Sequence, residues 1–160
     1  MNAWARFVSL LDTREDGRAL SMVRILVGLS VLAVLLEVVL PGALPVIWLD
    51  AADGGYRPLG QGPWLMRHLG GPTPSRVWGL VGLTMAAAGA LTLGVYARVA
   101  AFVALQGFLG VAWLNGHTAG SYDFVVTNSL WLLVLSRSDA TGGLLARWRT
   151  GRWWPDVQVP

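Results

Sequence analysis

Five side chains in this sequence have the types to carry chemistry: Arg24, Glu37, His68, His117 and Asp123. Two imidazoles and a carboxylate can relay protons or bind a metal ion. A metal site needs three or four convergent ligands, however, and His68 and His117 share no helical turn, so no metal site is read here. Arg24 and Glu37 interrupt one long apolar run at positions thirteen residues apart, about 20 Å along a helix axis, and so cannot pair with each other. Arg24 reads first as a snorkelling anchor near a helix end and second as the partner of a carboxylate or phosphate. Glu37, one turn before Pro41, reads equally as a solvated helix end or as a polar partner. Asp123 opens an apolar segment, where a carboxylate opposes the helix dipole and needs no further function. Asn128 lies deeper, and a hydrogen bond between helices is its expected role. None of these spacings fixes a catalytic residue or a cofactor.

The missing residue types exclude chemistry outright. All twelve basic residues are Arg, so no Schiff base or lysine general base can form. Without Cys there is no disulfide, thiolate nucleophile or cysteine metal site. No nucleophile elbow, phosphate loop, dinucleotide fingerprint or zinc-protease motif occurs. The net charge of +3 comes from arginines that flank apolar segments and form no basic stripe, so a nucleic-acid partner is not expected.

The elements that must hold these groups are apolar blocks. Of 160 residues, 54% are hydrophobic and only 13% charged, against roughly 25% charged in soluble domains. The blocks have lengths suited to a hydrocarbon core of roughly 30 Å, with no polar face. The expected fold is all-α, a polytopic bundle of four transmembrane helices at about 20–40, 75–95, 99–114 and 121–136. Residues 1–19 form an N-terminal interfacial segment, with Trp4, Phe7, Val8 and Leu11 on one face of a short helix. No cleavage site follows the first apolar run, which is read as a retained helix. Residues 41–74 are too many for a structureless connection, and Trp64–Leu69 is expected to form a short interfacial helix ended by Gly70-Gly71-Pro72. The tail 137–160, with Arg147, Arg149, Arg152, Trp153 and Trp154, suits the headgroup level. In the second span Gly82, Ala86, Ala90 and Gly94 recur at every fourth residue, a small-residue ridge for helix packing in lipid.

With four spans, the two termini and the 96–98 turn share one side with Arg6, Arg14, Arg18, Arg98, Arg137, Arg147, Arg149 and Arg152, and Arg24 lies just inside. The other side holds Arg57, Arg67 and Arg76. Nine against three places both ends in the cytoplasm of a bacterial-type inner membrane. The expected partners are the lipid bilayer and either a second copy or another membrane subunit.

One order of features carries a resemblance. Arg24-Ile25-Leu26-Val27-Gly28-Leu29 is followed by a long aromatic loop, then Leu93-Gly94-Val95-Tyr96-Ala97-Arg98, then Asp123 opening a short span with Asn128 five residues on. This order, over residues 20–160, resembles the N-terminal half of the HTTM proteins, bacterial membrane relatives of vitamin K-dependent gamma-carboxylase. The resemblance implies a multi-pass domain. It does not imply carboxylation, because the reactive lysine of the carboxylase lies beyond this half and the chain has no Lys. It also implies further helices after a segment like 155–160, so this chain would correspond to a fragment or a shortened relative. Small four-helix membrane proteins of the DoxX family are the competing resemblance.

The leading expectation is a multi-pass unit that is non-catalytic alone and works by assembly. A membrane enzyme or redox accessory acting on a quinone-like, lipid-soluble substrate comes second. A small transporter comes third, disfavoured by the absence of an internal repeat and of paired broken helices.

Overall fold

The computed structural model describes residues 15–118, 120–155 and 158–159. The expected interfacial helix over Ala3–Leu11 lies outside the described residues. The described chain is helical, with four longer helices: α1 (Gly17–Val39), α4 (Pro74–Leu93), α5 (Ala97–Ala112) and α6 (Ser121–Leu135). Three short helices accompany them: α2 (Leu44–Trp48), α3 (Trp64–His68) and α7 (Leu144–Thr150). Glu15–Asp16 and Gln158–Val159 make a two-residue antiparallel bridge that brings the two ends of the described chain together.

Helix boundaries follow backbone chemistry. Pro74 starts α4, where its missing N–H has no intrahelical partner to lose. Gly94 ends α4 in the left-handed region at φ 70°, and Val95 N–H then donates to Ala90 O at 2.9 Å. Pro41-Gly42 closes α1 in the same way, with Gly42 at φ 71° and Ala43 N–H donating to Val38 O at 3.0 Å. The connection between α1 and α4 is ordered by α2, a 3-10 turn at Ala51–Asp53, and α3.

The four longer helices form a ring in which α1 packs on α4, α4 on α5, α5 on α6, and α6 more lightly on α1. Neighbours run antiparallel: a side chain at Gly28 would meet Thr92 and the Ala88 carbonyl, one at Gly107 would meet Thr84, and one at Gly110 would meet Leu80. Close approach at these glycines lets the backbones pack around Val31, Leu35, Val81, Ala88, Leu105, Phe108 and Leu130.

Two helices, α1 and α4, are long and apolar enough to cross a membrane. α5 and α6 are apolar but only 16 and 15 residues long, about 24 and 22 Å at 1.5 Å per residue. Only 28% of the most apolar stretch of α1 and 39% of that of α4 is buried within the chain, so most of their apolar surface faces outward. Leu26, Leu83, Val99, Phe102, Val125 and Leu132 are exposed on the outer faces of the four helices.

Candidate functional site

Polar groups gather at the two opposite ends of the ring. At the end that carries the first and last described residues, Arg24 is fully buried, which corrects the reading of a snorkelling anchor. The reason is its register. Gly17, Ser21, Arg24, Gly28, Val31 and Leu35 recur at alternating steps of four and three, the inward stripe of α1. Arg24 Nη1 donates to Ser138 O at 2.6 Å, and Nη2 donates to Gly142 O at 2.6 Å. The Ser21 hydroxyl lies 2.7 Å from both the hydroxyl and the carbonyl of Thr141. Arg98 Nε donates to Ser136 O at 2.8 Å. Two arginines thus bind the carbonyl-rich stretch after α6, where a helix C-terminus favours positive charge. Gly94 and Gly143 pack backbone to backbone beside the Arg24 guanidinium. Arg24 Nε and the Ser138 hydroxyl have no partner among the described residues.

At the opposite end, residues of α1, α2, α5 and α6 line a cavity of about 270 Å³. Its exposed mouth is lined by Glu37, Thr118 and Tyr122, and its buried wall by Leu35, Trp48, Phe108 and Asp123. Asp123 caps α6: its Oδ2 accepts the Gly120 N–H at 2.9 Å. The indole N–H of Trp48, a residue only 5% exposed, has no partner among the described residues.

Asn115 ties this end together. It is fully buried; its Nδ2 donates to Ile47 O at 3.0 Å, and its Oδ1 accepts from the Tyr56 hydroxyl and the His117 N–H. Asp50 orders the preceding loop: its carboxylate accepts the N–H of Leu59 at 2.8 Å and of Ala52 at 3.1 Å. Those two backbone donors hold its pKa below the ordinary 3.8.

The five candidates therefore do not converge. Glu37 and Asp123 share the cavity, while Arg24 is engaged at the other end. His68 is exposed on α3, with its Nδ1 2.9 Å from Trp64 O and its ring against the Trp64 indole. His117 is exposed beside Asn115. Asn128, expected to bond between helices, is instead exposed and makes no such bond among the described residues. Val126, Leu130 and Leu133 set the inward face of α6, and Asn128 stands about 200° around the helix from both Val126 and Leu130.

The ridge on α4 divides. Gly82 and Ala86 face outward, Ala90 is half-buried, and Gly94 is buried. A step of four residues overshoots a turn by about 40°, so three steps rotate the stripe by about 120°, from the outer face to the interior. Sequence reasoning gave no role to Trp48, Asn115 or Ser21. The small Ser21 and Gly28 flanking Arg24 at helical spacing were the available signal for its burial.

No family model, curated protein or solved structure matches this chain.

Proposed function

We propose that the chain is a four-span membrane unit of the bacterial inner membrane, with both ends cytoplasmic, that acts by assembling with a second copy or another membrane subunit. This is the role of a non-catalytic unit resembling the N-terminal half of an HTTM domain. The observation that carries it is the outer face of α4. Gly79 and Gly82 have open space where a side chain would stand, and Ala86 is exposed beside them. The close approaches inside the chain use other glycines, Gly28, Gly107 and Gly110. A smooth face among outward apolar side chains suits van der Waals packing against another helix in lipid. The apolar exterior of all four helices supports the bilayer as the surrounding medium, since monomeric soluble proteins rarely expose contiguous apolar patches beyond a few hundred Å².

Two outcomes are expected. In mild detergent the wild type runs as a complex heavier than 17.2 kDa of protein, measured by light scattering, and Gly82→Leu or Ala86→Leu reduces that mass while the helical circular dichroism stays unchanged. An unaltered mass in both variants rejects the α4 interface. For orientation, the absence of Cys allows single-cysteine mapping. A Cys at the exposed position 52 labels from outside intact cells and one at position 149 only after permeabilisation; labelling of position 52 from the cytoplasm alone rejects the topology.

A further inference from the structure

We infer that the outward face of α6 docks a second copy of this chain, the two α6 helices lying parallel about a two-fold axis along the membrane normal, with Asn128 opposite Asn128. The inference rests on the reading of the chain as a four-span membrane unit. It does not rest on the α4 face, because the ring sets α6 diagonally across from α4.

The face is a regular stripe. Phe124, Asn128, Trp131 and Leu135 follow one another at steps of four, three and four, with Val125 and Leu132 alongside, and all six are exposed. That spacing keeps one side of a helix turned to a parallel neighbour, as at the a and d positions of a two-stranded coil. Val126, Leu130 and Leu133 occupy the opposite side of α6 and are buried in the chain's own core. The Trp113 ring meets Phe124 edge-on at 6.2 Å between centroids, which presets one end of the stripe. In lipid an apolar face needs no cover, so these large side chains alone select no occupant.

Asn128 selects one. It is the eighth of the fifteen residues of α6, about 10 Å from either end at 1.5 Å per residue. From that depth its short side chain cannot reach the headgroups as an Arg or Lys can. Its amide makes no hydrogen bond among the described residues, and its exposure leaves it open to an approaching helix. The carbonyls of α6 at this level are engaged by the helix's own backbone ladder. An amide left in hydrocarbon forfeits its donors and its acceptor, a cost that a hydrogen bond between helices removes.

The partner follows from symmetry. A carboxamide both donates and accepts, so two of them can exchange N–H···O bonds reciprocally. Copies of a membrane protein share one topology, and a two-fold axis along the membrane normal keeps equivalent helices parallel and equivalent residues at equal depth. Asn128 then meets its own counterpart. A lone Asn in an apolar stripe is also the device that fixes register and strand number in paired helices.

The test begins with the full chain in isolated membranes of the expressing cells, each variant carrying one cysteine in a background that has none. On mild oxidation Leu135→Cys should give a product of about twice 17.2 kDa, and Leu26→Cys, on the exposed face of α1, should give none. Sedimentation equilibrium in density-matched detergent then reads the dimer constant. Asn128→Leu should weaken dimerisation by about tenfold with unchanged helical circular dichroism, and Asn128→Gln, which keeps the amide, should hold it within about threefold. The sign is decisive, because a leucine would tighten a contact driven by apolar packing alone. An equal or tighter Asn128→Leu dimer therefore overturns the inference. So does the absence of a Leu135→Cys product, and a product of any other mass gives the face to a different subunit and overturns the second copy. Crosslinking through Gly82→Cys alone moves the second copy to α4, overturning this inference and leaving the assembly reading intact. Release of the chain from membranes by alkaline carbonate rejects the membrane reading itself, and this inference with it.

Discussion

Arg24→Met is expected to destabilise the bundle by about 3 kcal/mol, the scale of two hydrogen bonds from a charged group at roughly 1.5–3 kcal/mol each, less the recovered cost of burying the cation. The variant leaves the carbonyls of Ser138 and Gly142 without their short donors inside a packed site. The loss should appear as a lower midpoint in denaturant titration and as faster proteolysis between α6 and α7, with helix content in mild conditions preserved. Arg24→Lys should recover less than half, because a single ammonium cannot reach two carbonyls with the fixed fork of a guanidinium. A neutral result for Arg24→Met would mean that the side chain reaches water or headgroups, and the clamp would be rejected.

The contrast between Arg24 and Glu37 shows what the sequence makes legible. Both are single charges in one apolar run, and the linear pattern correctly sets them near opposite ends. Depth along a helix is encoded by counting residues, but rotation about its axis is encoded by neighbours. Arg24 stands in step with Ser21, Gly28, Val31 and Leu35, and faces inward. Glu37 falls two residues after Leu35, and faces out to the mouth of the cavity. The same distinction explains Asn128, which is at the right depth for an interhelical bond but turned away from one. It also explains α4, where a stripe drawn on the flat sequence winds off its face.

Helix limits were the most legible feature, because Pro41-Gly42, Pro74, Gly94 and Gly120 act locally on the backbone. α3 at Trp64–His68 falls within the expected Trp64–Leu69. The cavity was not legible. Its polar members come from residues 37, 48, 118, 122 and 123, and only the antiparallel ring brings the end of α1 against the start of α6. The Trp48 indole N–H, buried without an acceptor among the described residues, carries no linear signature at all.

Gly94→Ala is the second large effect, and it connects the turn after α4 to the arginine clamp. At φ 70° an alanine carries the left-handed penalty of about 1 kcal/mol. Its Cβ would also stand 2.7 Å from Arg24 Nη1 and 2.7 Å from the Gly143 Cα, and the backbone on the far side cannot move without breaking the Gly142 contact. A total loss of about 2–3 kcal/mol is expected, within the range for overpacking. Gly42→Ala isolates the conformational part: Gly42 has φ 71° with nothing within 4 Å of a built Cβ, so that variant should lose only about 1 kcal/mol. A double-mutant cycle then separates turn from clamp. If Gly94 is small because Arg24 must pass beside it, the Gly94→Ala loss should shrink by at least about 1 kcal/mol in the Arg24→Met background, since contacting sites are non-additive. Strict additivity, together with equal losses for Gly94→Ala and Gly42→Ala, would reduce Gly94 to a turn residue. The spacing from Arg24 through Gly94 to Arg98 would then have no common structural cause.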